Sequence, residues 1–318
     1  MLKRITEKSW FTNIIPITAL VVMLIVFLIS TNGLYLSSSN IVALVEQFIP
    51  LLMGAMGMIF VISQGSIDMS FGSNLAVCGM ISLVASLTIG SWLFFPLAMV
   101  IGAGVGWFNG TIISKFKVSS FMVTIAMLIT LRAIVQALMM NKVYLITPEI
   151  KAFNSVPVKL ISTVVIIVVI YYLFEKSKFG RVSRAIGENE KAVRSAGINV
   201  DNYRIIAFVI SGMFAGICGA FMLTRGGGAN QNMGNMQELR IFMTMFIGGI
   251  PITGGMGTRV YKAVVGAALI ALLENGLSLS GASGPTYEMV EGLILIGIIA
   301  VSLYLYNKTV HARDVTIV

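Results

Sequence analysis

The chain has 318 residues, 57% of them hydrophobic and only 11% charged, with a mean hydropathy of +0.93. A soluble domain is about half apolar and about a quarter charged, so water is the wrong solvent for most of this polypeptide. The net charge of +9 does not point to nucleic acid, because the basic residues stand in short clusters between apolar runs, as orientation signals on membrane loops do.

A helix needs about 20 mostly apolar residues to cross a bilayer. Ten such stretches are expected, over 13–31, 40–63, 71–89, 92–114, 119–140, 158–174, 204–224, 240–257, 260–280 and 287–306. Residues 1–318 therefore read as one all-α, polytopic membrane domain with no separate soluble part. Lys3, Arg4 and Lys8 precede the first apolar run, which is too long for a signal peptide and reads as a retained span. The stretches 64–75 and 247–257 are crowded with Gly, Pro and polar residues, as in broken or re-entrant helices.

With both termini placed in the cytoplasm, sixteen of the 22 basic residues fall inside, among them Lys115, Lys117, Arg181, Arg194 and Arg259. Five fall outside (Lys142, Lys151, Lys159, Arg225 and Arg240), and Arg132 lies within a span. That asymmetry favours an N-in, C-in orientation. The longest inside connection runs from Glu175 to Tyr203, and its Arg184–Gly197 core carries small apolar residues spaced for an amphipathic helix ending at a glycine. Gly102-x-x-x-Gly106 and Gly212-x-x-x-Gly216 would let helix backbones approach closely.

Ionisable side chains in hydrocarbon cost at least a few kcal/mol unless paired or hydrated, so Asp68, Arg132, Glu274 and Glu291, with Glu46 near the outer mouth, rank first as candidates. Asp68 stands in Gln64-Gly-Ser-Ile-Asp-Met-Ser-Phe-Gly-Ser73, which could line a polar cavity; as an acid ahead of Ser and Gly it could equally cap the next helix. Arg132 is expected to pair with Glu274 or Glu291 and fix helix packing. Glu274-Asn275 could instead bond a solute hydroxyl. Gly248–Gly257 lacks the Gly-Lys-Ser/Thr ending of a phosphate loop. Cys78 and Cys218 lack metal-ligand spacing, the lone His311 has no catalytic companions, and no Ser/His/Asp set or HExxH occurs. No enzyme activity, cofactor or metal is expected of this chain.

Several motifs occur in a telling order: Ser66-Ile-Asp-Met-Ser-Phe-Gly-Ser73, Gly106-Trp-Phe-Asn-Gly110, Gly180-Arg181, Ala185-Ile-Gly-Glu-Asn-Glu-Lys-Ala-Val-Arg194 and Gly197-Ile-Asn-Val200, then Ser211–Gly219, Glu238-Leu239, Gly248-Gly249, Gly254–Gly257 and Asn275-Gly-Leu277. Over roughly Phe48 to Leu303 this series resembles the permease subunits of the ribose, xylose and autoinducer-2 class of ABC importers. The resemblance implies a second permease copy or a related one, a cytoplasmic ATPase pair that binds the ATP, an extracytoplasmic solute-binding protein, and residence in the bacterial inner membrane. It places the ATPase-coupling segment within 175–203, at Gly187, Glu188, Asn189, Ala192, Arg194 and Gly197. The break, with the matching motifs, assigns Gln64, Asp68, Ser70, Asn109, Glu274 and Asn275 to a substrate pathway. The implied solute is a monosaccharide. Gln64-Gly65-Ser66, Ser119-Ser120, Arg240 and Ile250-Pro251 depart from the family pattern, which keeps a nucleoside or another polyhydroxylated solute in view. From the residues alone, an ion-coupled secondary transporter using Asp68, Glu274 and Glu291, or a membrane scaffold, would also be compatible.

Overall fold

A computed structural model describes residues 9–281, apart from 141 and 143, and scattered positions between 286 and 297. The chain is helical almost throughout, and each helix follows an apolar run of the sequence. Helix α1 spans Ser9–Ser30, α2 Ser38–Ser63 and α3 Phe71–Ile89. Then come α4 at Phe94–Phe116, α5 at Ser120–Met139, a two-residue strand β1 at Tyr144–Leu145, a short α6 at Pro148–Ala152 and α7 at Val156–Tyr171. After a π-helical turn at Tyr172–Lys176 follow α8 (Lys178–Ser195), α9 (Val200–Gly226), β2 (Gly228–Ala229), α10 (Gln237–Ile247) and α11 (Val260–Leu279).

Seven helices among the described residues are long and apolar enough to cross a membrane: α2 to α5, α7, α9 and α11. The apolar part of α1, Pro16–Ser30, is shorter. The stretch 240–257, expected to be a full crossing, is an 11-residue helix (α10) followed by a glycine-rich loop. At about 1.5 Å per residue α10 reaches only about half the thickness of a bilayer core. Hydropathy runs on through Gly248–Gly257 and lengthens the expected span, but the glycines end the helix there, at the interruption expected over 247–257. The tenth expected span, 287–306, and His311 lie largely or wholly outside the described residues, as does Glu291.

Helix α2 is apolar on all sides and occupies the centre; every residue from Ile49 to Ser63 is buried. Helices α9, α11 and α10 pack against it, and α5 and α7 keep most of their surface exposed. The two glycine pairs explain the tightest contact, that of α4 with α9. A Cβ on Gly102 would overlap the Gly212 carbonyl, one on Gly106 the Phe208 carbonyl, and one on Gly216 the Ala98 carbonyl. Gly104, on the other flank of α4, has nothing within 4 Å of its Cβ position.

Two polar faces bound the bundle. At one, β1 and β2 pair antiparallel with Tyr144 opposite Ala229, and buried Lys159 holds Glu46 at 2.9 Å. The reciprocal amide pair Asn40–Asn275 (2.8 and 2.9 Å) also lies toward this end, joining the start of α2 to the end of α11. The other face carries α8.

Gly106→Val is expected to lower the thermal unfolding midpoint of the purified protein sharply, since overpacking a close contact costs about 1–3 kcal/mol or more. Gly104→Val should leave it within a few degrees of the parent; equal losses for the two would refute this account of the helix pair.

Candidate functional site

The interruption between α2 and α3 is written locally. Gly65 takes a left-handed φ of +70°, its N–H bonds the Ile62 carbonyl and the Ser66 N–H bonds that of Val61, which closes α2 in a Schellman motif. From there to Ser70 the backbone is non-helical. Its donors cannot be left bare away from water. Two hydroxyls one turn apart on α5 supply acceptors: Ser120 Oγ takes the Ile67 N–H at 3.1 Å and Thr124 Oγ1 takes the Met69 N–H at 3.0 Å.

Asp68 completes the arrangement. Its Oδ1 accepts from the Ser70 N–H (3.1 Å) and the Ser70 hydroxyl (2.6 Å), while Oδ2 accepts from the Ser211 hydroxyl on α9 (2.9 Å). Asn109 Nδ2 donates to Ser70 Oγ at 3.0 Å. Asp68 is only 3% exposed, so one carboxylate joins the break, α4 and α9 inside the bundle. Ser211 lies about 16 Å along α9 from its start.

Gln64 stands at the other end of the break, with Nε2 donating to Ser183 Oγ on α8 (3.2 Å) and to the Tyr203 carbonyl (3.1 Å). The break therefore runs from the α8 face into the interior, with Gln64 at its mouth and Asp68, Ser70 and Asn109 gathered at its inner end. Glu274 and Asn275 are elsewhere: Glu274 faces Arg240 at 3.7 Å, and both amide groups of Asn275 and Asn40 engage each other. Arg132 does not pair with Glu274. Its Nη1 donates to the Met233 carbonyl (2.8 Å) and Nη2 to that of Gly234 (3.0 Å). Helix-to-helix neighbours decide such partnerships, and hydropathy alone does not carry them.

The 175–203 connection is mostly helix. Ser177 caps α8, Asn189 (φ −158°, ψ 93°) breaks it, and the Asn189 Oδ1 accepts from the Ala192 N–H at 3.0 Å to start its last turn. Gly197, at φ +79°, ends it in a second Schellman motif. A Cβ on Gly187 would overlap the Ser63 carbonyl and meet Gly255 N at 2.5 Å, so α8 rests backbone to backbone on the end of α2 and on the 248–259 loop. Glu188 Oε1 accepts from the Met256 N–H at 2.9 Å. Arg194 bridges Glu190 (2.8 Å) and Asp201 (2.6 Å), and Asp201 also holds Lys117. Partial burial would raise the Glu190 carboxyl, but hydrogen bonds from Arg204 and Arg194 outweigh it and hold the group below the usual carboxylate range. Asn189, Ala192 and Gly197 face outward.

Ser120, Thr124 and Ser211, none of them assigned to the pathway from the sequence, are thus part of the site. Their signal was a hydroxyl pair at i, i+4 on an otherwise apolar helix, and a serine beside the Gly212 contact. Beneath them, Glu175 ties α8 to α11: its carboxylate accepts from Arg184 (2.7 Å), Arg259 (2.9 Å) and the Val260 N–H (3.1 Å).

Removing the Asp68 carboxylate would leave the Ser70 and Ser211 donors unpaired, at about 1–3 kcal/mol each. Asp68→Ala should therefore lower the unfolding midpoint of the purified protein, and Asp68→Asn, which keeps an acceptor, should restore much of it. Identical midpoints for Asp68→Ala and the parent would contradict the bonding described.

Residues 40–299 match the family of branched-chain amino acid transport system permease components. The chain is 31% identical to the ribose import permease of Bacillus subtilis (strain 168) over 307 residues, covering 92% of this chain and 94% of the relative. It is 27% identical to the ribose import permease of Escherichia coli (strain K12), with 92% and 94% covered. To the xylose transport system permease of the same organism it is 25% identical, with 89% of each chain covered. No solved structure is significantly similar to it. Members of this family are transport permeases and not enzymes. The ordered motifs, the multi-pass helical architecture and a match spanning most of the chain agree: this protein belongs to the permease components of ABC importers, in the class of the ribose and xylose permeases.

Proposed function

We propose that the chain is the membrane subunit of an ATP-driven importer for a monosaccharide, seated in the bacterial inner membrane with both termini and the α8 face in the cytoplasm. It works with a second permease copy or a related permease, a pair of cytoplasmic ATPase subunits that bind ATP, and an extracytoplasmic solute-binding protein. The names of the relatives support ribose or xylose as the solute class. The clustering of Lys115, Lys117, Arg181, Arg184, Arg194 and Arg259 toward the α8 face supports the orientation.

One observation carries the mechanism: Gly187 lies directly on the Ser63 carbonyl, at the end of the helix whose continuation is the Asp68 break. The 318 residues contain no phosphate-binding loop sequence, so work must arrive from a partner. In this reading Asn189, Ala192 and Gly197 meet the ATPase. Gly187, Glu188 and Arg194 pass the displacement inward, through the Ser63–Gln64 corner, to Asp68, Ser70 and Asn109. Gln64 forms the mouth of the pathway on the α8 side. Glu274 and Asn275 act on it through the packing of α11. Since α8 moves with the break, ATP-driven closure of the partners would change the shape of the polar interior.

Reconstituted with the cognate ATPase and binding protein, the chain is expected to give ATP-dependent uptake of D-ribose or D-xylose, and on its own to accumulate neither under a proton or sodium gradient. Gradient-driven accumulation by the chain alone would overturn the proposal. Gly187→Leu, which forces α8 away from Ser63, should reduce the amount of sugar moved per ATP hydrolysed at least about tenfold, a change of about 1.4 kcal/mol in coupling; an unaltered ratio would argue against transmission through this contact.

A further inference from the structure

Two helices begin in the interior of the bundle and meet at their first turns. α3 starts at Phe71, straight after the break, and α10 starts at Gln237, after Gly234 and Met236 with φ of +69° and +58°. The second residue of α10, Glu238, faces the second residue of α3, Gly72: a Cβ there would overlap Glu238 Oε2 and meet the Gly234 carbonyl at 2.5 Å. First turns present N–H groups that have no partner in their own helix, together with partial positive charge. Such interrupted helices inside transporters are suited to gripping polar ligands.

Glu238 is only 5% exposed, and its Oε2 has no hydrogen-bond partner. A buried carboxylate oxygen without a donor is costly to maintain for packing alone. Arg132 and Asp68 both lie within electrostatic range of it. Arg132, about 18 Å along α5 from its start, is partly exposed, and Gln136, one turn further along the same face, is exposed. A guanidinium and an amide at that depth would cost a few kcal/mol facing hydrocarbon. Arg132 meets part of that demand through the Met233 and Gly234 carbonyls, and the exposed Gln136 leaves this flank of α5 polar.

We propose that Glu238, with Arg132 and Gln136 beside it, is the interior station that binds the hydroxyl groups of the solute in transit. The inference rests on the importer reading and gives its pathway a specificity-determining residue. A carboxylate accepts from two neighbouring hydroxyls, a guanidinium donates to a ring or hydroxyl oxygen, and an amide does both. Asp68 and Glu238 set against Arg132 leave the surroundings short of positive charge. The station accordingly takes a neutral polyhydroxylated solute and rejects a phosphorylated one.

The test uses the complete complex with ATPase and binding protein in proteoliposomes, and radiolabelled D-ribose and D-xylose as probes. Glu238→Gln, which keeps size and shape, should lower ATP-dependent uptake about tenfold, the scale for losing a charge-assisted hydrogen bond, with the thermal unfolding midpoint of the complex unshifted. Glu238→Ala should lower it further. Uptake within about twofold of the parent in Glu238→Gln would overturn the station, as would a loss of uptake accompanied by an equal loss of thermal stability, which would make Glu238 a packing device. If the parent complex moves neither sugar on addition of ATP, the sugar-importer reading fails and the station falls with it. Sugar uptake by the parent with no change in the variants refutes the station alone.

Discussion

Everything in this structure depends on one constraint, that a backbone interrupted away from water must find partners for its N–H and C=O groups. The chain interrupts itself between Ser63 and Phe71 and meets the demand with side chains from three other helices. Ser120 and Thr124 receive the Ile67 and Met69 N–H groups, Asp68 receives Ser70 and Ser211, and Asn109 donates to the Ser70 hydroxyl. These bonds fix where α4, α5 and α9 can stand relative to α2 and α3. The close α4–α9 contact through Gly102, Gly106, Gly212 and Gly216 follows from the same economy of space.

Buried polar groups differ here in how their partners are arranged. The Asn40–Asn275 pair has its partners within the chain and serves as a joint. Glu238 Oε2 has none, although it is as deeply buried. A fully satisfied buried network gives a unique geometry, whereas an acceptor left open calls for a further account, and for Glu238 the proposed solute station supplies one.

Much of this was legible in the residues because it is local. Gly65 and Gly197 end helices through bonds to residues three to five positions earlier, and the glycine spacings on α4 and α9 lie within two turns. The amphipathic core at 184–197 likewise emerged as a helix, although longer, from Lys178 to Ser195. The interruption expected over 247–257 is present, with α10 ending at Ile247 ahead of Gly248, Gly249, Gly254 and Gly255. What was not legible was non-local. Arg132, expected to pair with Glu274 or with Glu291, which lies outside the described residues, caps the carbonyls of Met233 and Gly234, about a hundred positions away, while Glu274 faces Arg240. Ser120 and Thr124 could be valued only once the break was seen lying against them.

The Asn40–Asn275 amide pair has a mechanical consequence. It rivets α2 to α11 close to one end of α2, whereas α8 bears on the same helix at Ser63, about 35 Å away at 1.5 Å per residue. Under the proposed coupling, a push on Ser63 would therefore act on α2 at the end opposite this joint, next to the first residues of the break.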